Sequence, residues 1–154
     1  MKLCFTMYLK LKDNFKKGKY GDEGGVLYMN DNEQQIYDQV SQKIKEAYPE
    51  VMITNQKLSN SQSVFPAVSI VLTNDAVVPE YSTFDQLENV CNEIFEFEIA
   101  NSNESGMDDI KTIITIIDEK MNEFGYLRIQ LGLIDDKEIN DIRRLVKYEK
   151  LIIK

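Results

Sequence analysis

Histidine is absent from this chain, which limits the chemistry its other polar residues can do. Without an imidazole, serine and cysteine lack the usual base that activates a nucleophile, so triad chemistry is excluded, and the commonest metal ligand is missing. Carboxylates remain, in the adjacent pairs Asp108-Asp109 and Asp135-Asp136, and a Mg²⁺-dependent enzyme would use such oxygens. Neighbouring aspartates are more often a solvated turn, or a helix start exploiting its partial positive charge. Gly24-Gly25 lacks the frame of a phosphate loop and a helix after it. Cys4 and Cys91 are only a distant pair, no disulfide framework, and a reduced setting is the default. The expectation is a protein that is not an enzyme and carries no cofactor or metal. An unchanged thermal stability on Mg²⁺ or Mn²⁺ titration would dispose of the carboxylate alternative.

Charge is segregated along the 154 residues. Residues 1–29 balance at +3 and residues 141–154 at +3, so the middle carries -14 of a formal net -8. Phosphate binding needs concentrated positive charge, so nucleic acid is an unsuitable partner for that middle. Opposite signs at different places suit a contact between copies, with one subunit's basic strand against its neighbour's acidic face. The competing reading is an edge strand guarded by lysines against stray pairing. No apolar run approaches the roughly 20 residues of a membrane helix, and MKLCFTMYLKLK makes a poor signal peptide.

The elements that must position these charges follow from periodicity. Asn30-x-x-Glu33 forms a capping box, Ile36, Val40, Ile44 and Ala47 recur at helical spacing, and Pro49 ends the helix. Val51–Thr54 reads as a short strand, and Val68, Ile70 and Leu72 alternate in a second. Residues 74–86 form a long connection around Pro79, expected to act as a contact arm. In the third strand Phe95, Phe97 and Ile99 share one face, with Glu96 and Glu98 solvated on the other. Ser105-x-x-Asp108 caps a helix whose Ile110, Ile113, Ile114, Ile117, Met121 and Phe124 make one stripe, and Gly125 sits where a left-handed cap belongs. Leu127, Ile129, Leu131 and Leu133 alternate as an inward face, and DIRRLVKYEKLI is the last strand. The predicted fold is α+β: a two-layer sandwich of order αβββαββ, two helices on one face of a mostly antiparallel sheet of four to five strands.

The first 28 residues stand apart. Glu23-Gly24-Gly25 can be encoded by a ribosome-binding sequence a few codons before Met29. The expectation is a translated leader over 1–28 and a single domain over 29–154.

The phrases from about Ile36 onward, in this order, resemble the tail terminator family of long-tailed bacteriophages, also called neck or tail-completion proteins. Phe65-Pro66-Ala67-Val68-Ser69-Ile70 resembles the lead into that family's second strand, and Phe95-Glu96-Phe97-Glu98-Ile99 its long central strand. Met121-x-x-Phe124-Gly125-Tyr126-x-Arg128 resembles its helix-to-strand corner, and Arg144-x-x-Lys147-Tyr148 its basic, aromatic last strand. The resemblance implies a virion structural protein, assembled in the bacterial host cytoplasm and placed at the tail–neck junction. There a homo-oligomeric, sixfold ring ends the tail tube and joins it to the head connector, whose proteins and the tube protein are its partners. DNA passes through such a ring without specific binding, and no membrane is involved. A head-to-tail ring needs two complementary patches per subunit. The contact candidates are Arg128, Arg143, Arg144, Lys147 and Tyr148, and reversing Arg143 and Arg144 to glutamate is expected to weaken assembly while sparing the fold. Val77, Val78, Pro79, Tyr81 and Phe84 are the candidates for touching tail tube or connector. The alternatives are another neck, connector or baseplate protein. An RNA-binding sheet is disfavoured because Phe95 and Phe97 alternate with glutamates rather than lying on a basic stripe.

Overall fold

A computed structural model describes residues 31–78, 90–102, 106–134 and 141–153. Asn30 and Ser105, the expected helix caps, Asp135-Asp136 and the expected leader lie outside the described residues.

Helix α1 (Asp31–Ala47) precedes strands β1 (Met52–Thr54), β2 (Ala67–Val77) and β3 (Val90–Asn101); helix α2 (Gly106–Glu123) then leads to β4 (Leu127–Ile134) and β5 (Ile142–Ile153). The order αβββαββ is the one read from the sequence. The strands form one sheet, β1-β2-β3-β5-β4. Only β1 runs parallel to its neighbour, and the other pairings are antiparallel.

Both helices put their apolar stripes onto one face of the sheet. Ile36, Val40 and Ile44 of α1 and Ile110, Ile113, Ile114, Ile117 and Met121 of α2 are buried against Val68, Ile70, Phe95, Phe97, Ile99 and Val146. Fully burying one such side chain stabilises by about 1.5–3 kcal/mol. Ala47 is exposed, so the α1 stripe ends a turn early and half-buried Tyr48 packs in its place. Ring edges meet ring faces beneath the helices: Phe95 with Tyr126 at 5.5 Å and Phe97 with Tyr148 at 5.4 Å between centroids.

The α2–β4 corner is built as its glycine predicts. Gly125 has φ of 80°; its N–H donates to the Asn122 carbonyl and that of Tyr126 to the Met121 carbonyl, both at 2.9 Å. This is the paired-bond ending that a left-handed residue permits.

The opposite face of the sheet carries a second, smaller apolar cluster. Leu58, Ala67 and Ala100 are buried there with Met52 and Phe65 packed around them, so the segment between β1 and β2 folds over one end of that face.

Two expectations fail here. The last strand is not an edge, because β5 lies between β3 and β4. Leu127, Ile129, Leu131 and Leu133 are not inward: they are 71, 49, 50 and 54 % exposed. The register explains the failure. Arg128 pairs with Tyr148 but Gln130 pairs with Lys147, leaving Ile129 as an extra, unpaired residue. This bulge breaks the period-two alternation. Leu127, opposite Glu149, faces away from the helices, whereas Leu131 and Leu133, opposite Val146 and Arg144, face their side but lie at the border of the sheet, where they stay exposed.

Candidate interaction surface

The basic residues of β5 face two ways. Arg143, Lys147 and Glu149 point away from the helices, alongside Ala100, Glu96 and Ile94 of β3, while Arg144, Tyr148 and Lys150 point beneath them. Lys147 Nζ lies 2.9 Å from Glu96. Arg143 is 1 % exposed and fully engaged: Nη1 donates to Glu98 at 2.9 Å, Nε to Asp141 at 3.1 Å and Nη2 to the Ser59 carbonyl at 2.6 Å. Such a fork of charge-assisted bonds is what makes a buried guanidinium tolerable. It also clamps the β1–β2 segment to the sheet. Glu96 and Glu98 are therefore half-buried partners of β5, not the solvated side chains that alternation suggested.

On the helix side, Tyr148 is buried and donates to Asp118 Oδ1 at 2.7 Å, while Arg128 reaches Asp118 Oδ2 at 2.6 Å. One carboxylate of α2 thus ties β5 to β4. Lys150 donates to the Phe124 carbonyl at 2.6 Å and stands over the Tyr126 ring at 5.2 Å. Tyr126 donates to Glu93 at 2.5 Å, and Asn32 of α1 donates to both. Burial, reinforced by the neighbouring carboxylate, pushes the phenols of Tyr126 and Tyr148 well above their ordinary value of 10.0. These phenols stay neutral and donate; they are joints between elements rather than acids.

Of the predicted contact residues, then, Arg143 and Tyr148 lie inside the subunit and hold it together, which corrects their assignment to a surface. Reversing Arg143 would leave Glu98 and Asp141 facing a like charge in a buried place, so the variant proposed to spare the fold would break it. Arg128 and Lys147 are spent on Asp118 and Glu96. Arg144 is the exception: half-buried, its side chain bonds the Met107 sulfur at 3.9 Å, with no carboxylate within ion-pair range among the described residues. Val78 is half-buried and its N–H bonds the Val90 carbonyl at 2.7 Å, closing the end of the β2–β3 pair. Val77 ends β2, so residues 74–77 of the expected connection are strand paired with β3, and Pro79, Tyr81 and Phe84 lie outside the described residues.

The carboxylate pair Asp108-Asp109 occupies the first turn of α2. Asp109 accepts from Asn101 at 3.2 Å and from Tyr48 at 3.3 Å, and Asp108 pairs with Lys111 at 3.0 Å. Asn101, at the end of β3, packs so closely on Gly106 that a Cβ there would come within 2.8 Å of it. No family model matches the chain, and no curated protein matches it. Among the described residues no group of three or more Cys, Asp or Glu is placed to hold a metal, and no helix is long and apolar enough to cross a membrane.

What the sequence reading missed is the sheet border. The apolar row of β4 was visible as a row, but its exposure was not. Bulges gather at sheet edges, but that β4 is an edge depends on pairings distant in sequence, which alternation does not report.

Proposed function

We propose that this chain is a structural subunit of a bacteriophage tail, forming the ring that ends the tail tube and joins it to the head connector. The observation that carries the proposal is an assembly signature on the fold the resemblance implies: αβββαββ, with an eight-residue border strand whose apolar side chains a lone subunit leaves in water. Large exposed apolar patches mark interaction sites. Arg128, Arg143, Lys147 and Lys150 are engaged within the subunit, which leaves the apolar border as the surface available for contact. Arg144 stays in the contact set, while Arg143 and Tyr148 leave it.

Light scattering followed by negative-stain imaging tests this on residues 29–154 and on the whole chain. Sixfold rings that attach to one end of purified tail tubes are the expected result. A protein that neither forms rings alone nor binds tubes would sink the proposal, and rings that bind connectors but not tubes would move it to a neighbouring neck protein.

A further inference from the structure

We infer that the border of the sheet along β4 is a docking surface for a second copy of this chain, joined edge to edge through the same strand. Six large apolar side chains stand exposed among the described residues, and five of them lie along this border: Leu131 and Leu133 on the helix side, Leu127 and the 57 % exposed Leu151 of β5 on the other, and Ile129 at the bulge. The strand is the last in the sheet order, so its outward N–H and C=O groups meet no described strand. Eight residues of extended chain offer about 27 Å of such edge.

Edges of this kind are ordinarily blunted by lysine, proline, an inward charge or a bulge, and of these β4 has the bulge at Ile129, near its start. Here the stretch from Phe124 to Ile134 holds a single charged residue, Arg128, the second residue of β4, and Asp118 already neutralises it. Beyond the bulge, Gln130 to Ile134 run in regular register with β5. Over those five residues the edge is regular in register and uncharged, with Leu131, Leu133 and Ile134 as its apolar members.

Charge selects the partner. The chain carries a formal net charge of -8, so two copies repel wherever exposed acids face each other. The stretch from Phe124 to Ile134 contains no acid, and there two copies approach without that penalty. In an antiparallel pair, Arg128 lies toward the far end of the partner's strand, away from its own counterpart. The surface also selects itself by shape. The remaining exposed large apolar side chain, Val64, stands alone, so the described patch able to cover this row is the same row on another molecule, as a twofold contact requires. The inference goes beyond the ring reading, whose contacts run head to tail; it describes the free subunit.

The test is the solution mass of the full chain over a dilution series, with hydrogen exchange on the β4 amides. A dimer that dissociates on dilution, with β4 protection rising alongside dimer, is expected. Leu131→Lys with Leu133→Lys should raise its dissociation constant about a hundredfold or more, because each lysine would be buried without a partner. Circular dichroism, and thermal unfolding at a dilution where both proteins are monomeric, should stay unchanged, and if the lysines disturb folding, the paired threonine substitutions repeat the test. A monomer at every concentration, or a dimer indifferent to the substitutions, overturns the inference. So does β4 protection in a monomer that vanishes in residues 29–154, which would give the edge to the chain's own first residues. Dimers without rings support this inference against the ring reading, and sixfold rings that the double substitution abolishes, with no dimer at any concentration, give the row to the ring instead.

Discussion

β4 and β5 lie side by side in the sheet and treat their charges and apolar groups in opposite ways. β5 is interior, and three of its four basic side chains are consumed inside the subunit: Lys147 by Glu96, Arg143 by Glu98 and Asp141, Lys150 by the Phe124 carbonyl. β4 is a border strand with almost no charge and four exposed aliphatic side chains. A basic strand in an acidic protein looks like a surface for a partner, and an alternating aliphatic strand looks like core. The positions of the two strands in the sheet reverse both impressions. Strand order, which depends on pairings distant in sequence, decides what each pattern means.

The comparison breaks most severely at Arg143. Replacing it with alanine removes three bonds and strands two carboxylates that are largely buried. We expect a loss of about 3–5 kcal/mol, the range for breaking one partner out of a buried ion pair. Urea unfolding measures it, and a loss below 1 kcal/mol would mean that the Glu98 and Asp141 contacts are dispensable. Arg144→Ala, one residue on but without a carboxylate partner, should cost far less, which separates burial from charge as the cause.

A smaller effect is expected where the two strands are brought together. Gly125 holds a left-handed turn, and a Cβ added there meets only the end of Lys150 at 3.6 Å. Gly125→Ala should thus cost about 1–2 kcal/mol from backbone strain rather than from a clash. Gly125→Asn, which tolerates that conformation better, should recover part of it. Equal losses in both variants would point to the space around the residue instead.

Tyr148 links β5 to Asp118 and, through it, to Arg128 of β4. Tyr148→Phe should cost about 1 kcal/mol near neutral pH, the usual net worth of one hydrogen bond. Its pH dependence is more telling. The phenols of Tyr126 and Tyr148 are pushed up from 10.0 in the folded protein, so above that pH the unfolded chain loses their protons first. Their contribution is fully present below pH 10 and falls as the pH rises beyond it. Alkaline unfolding of the Tyr126→Phe, Tyr148→Phe double variant should accordingly show a shallower decline above pH 10 than wild type. Identical slopes would assign the decline to other groups.

Much of the architecture was legible because it is written in local periods. The isoleucine stripe of α2, the Phe95-Phe97-Ile99 face and the glycine that ends the helix each report a neighbour within a turn or a strand's width. The parallel pairing of β1 with β2 is not local and left no mark in the order of elements. Nor could alternation locate the bulge at Ile129, since one added residue changes the facing of every side chain beyond it while leaving the letters in place. The site was less legible than the fold for the same reason. Arg143 and Arg144 are adjacent and chemically alike, yet one closes a buried cluster with Glu98, 45 residues away, and the other touches a methionine. Their difference lies in which face of a central strand each occupies.

The smallest effect is expected on the other side of the comparison. Leu131 and Leu133 keep about half their surface in water, so replacing either with lysine removes little buried area and leaves the long side chain free to carry its charge outward. Unfolding stability, measured at a dilution where the protein is monomeric, should change by no more than about 0.5 kcal/mol, as surface substitutions do. The same substitution at Val146, their neighbour across the ladder and 0 % exposed, would bury an unpaired charge and unfold the domain. A loss of several kcal/mol at Leu131 would show that this row already has a partner within the subunit, and the contrast between the two strands would disappear. A near-zero change would mean that the aliphatic row contributes little to folding, leaving association as the process it can drive.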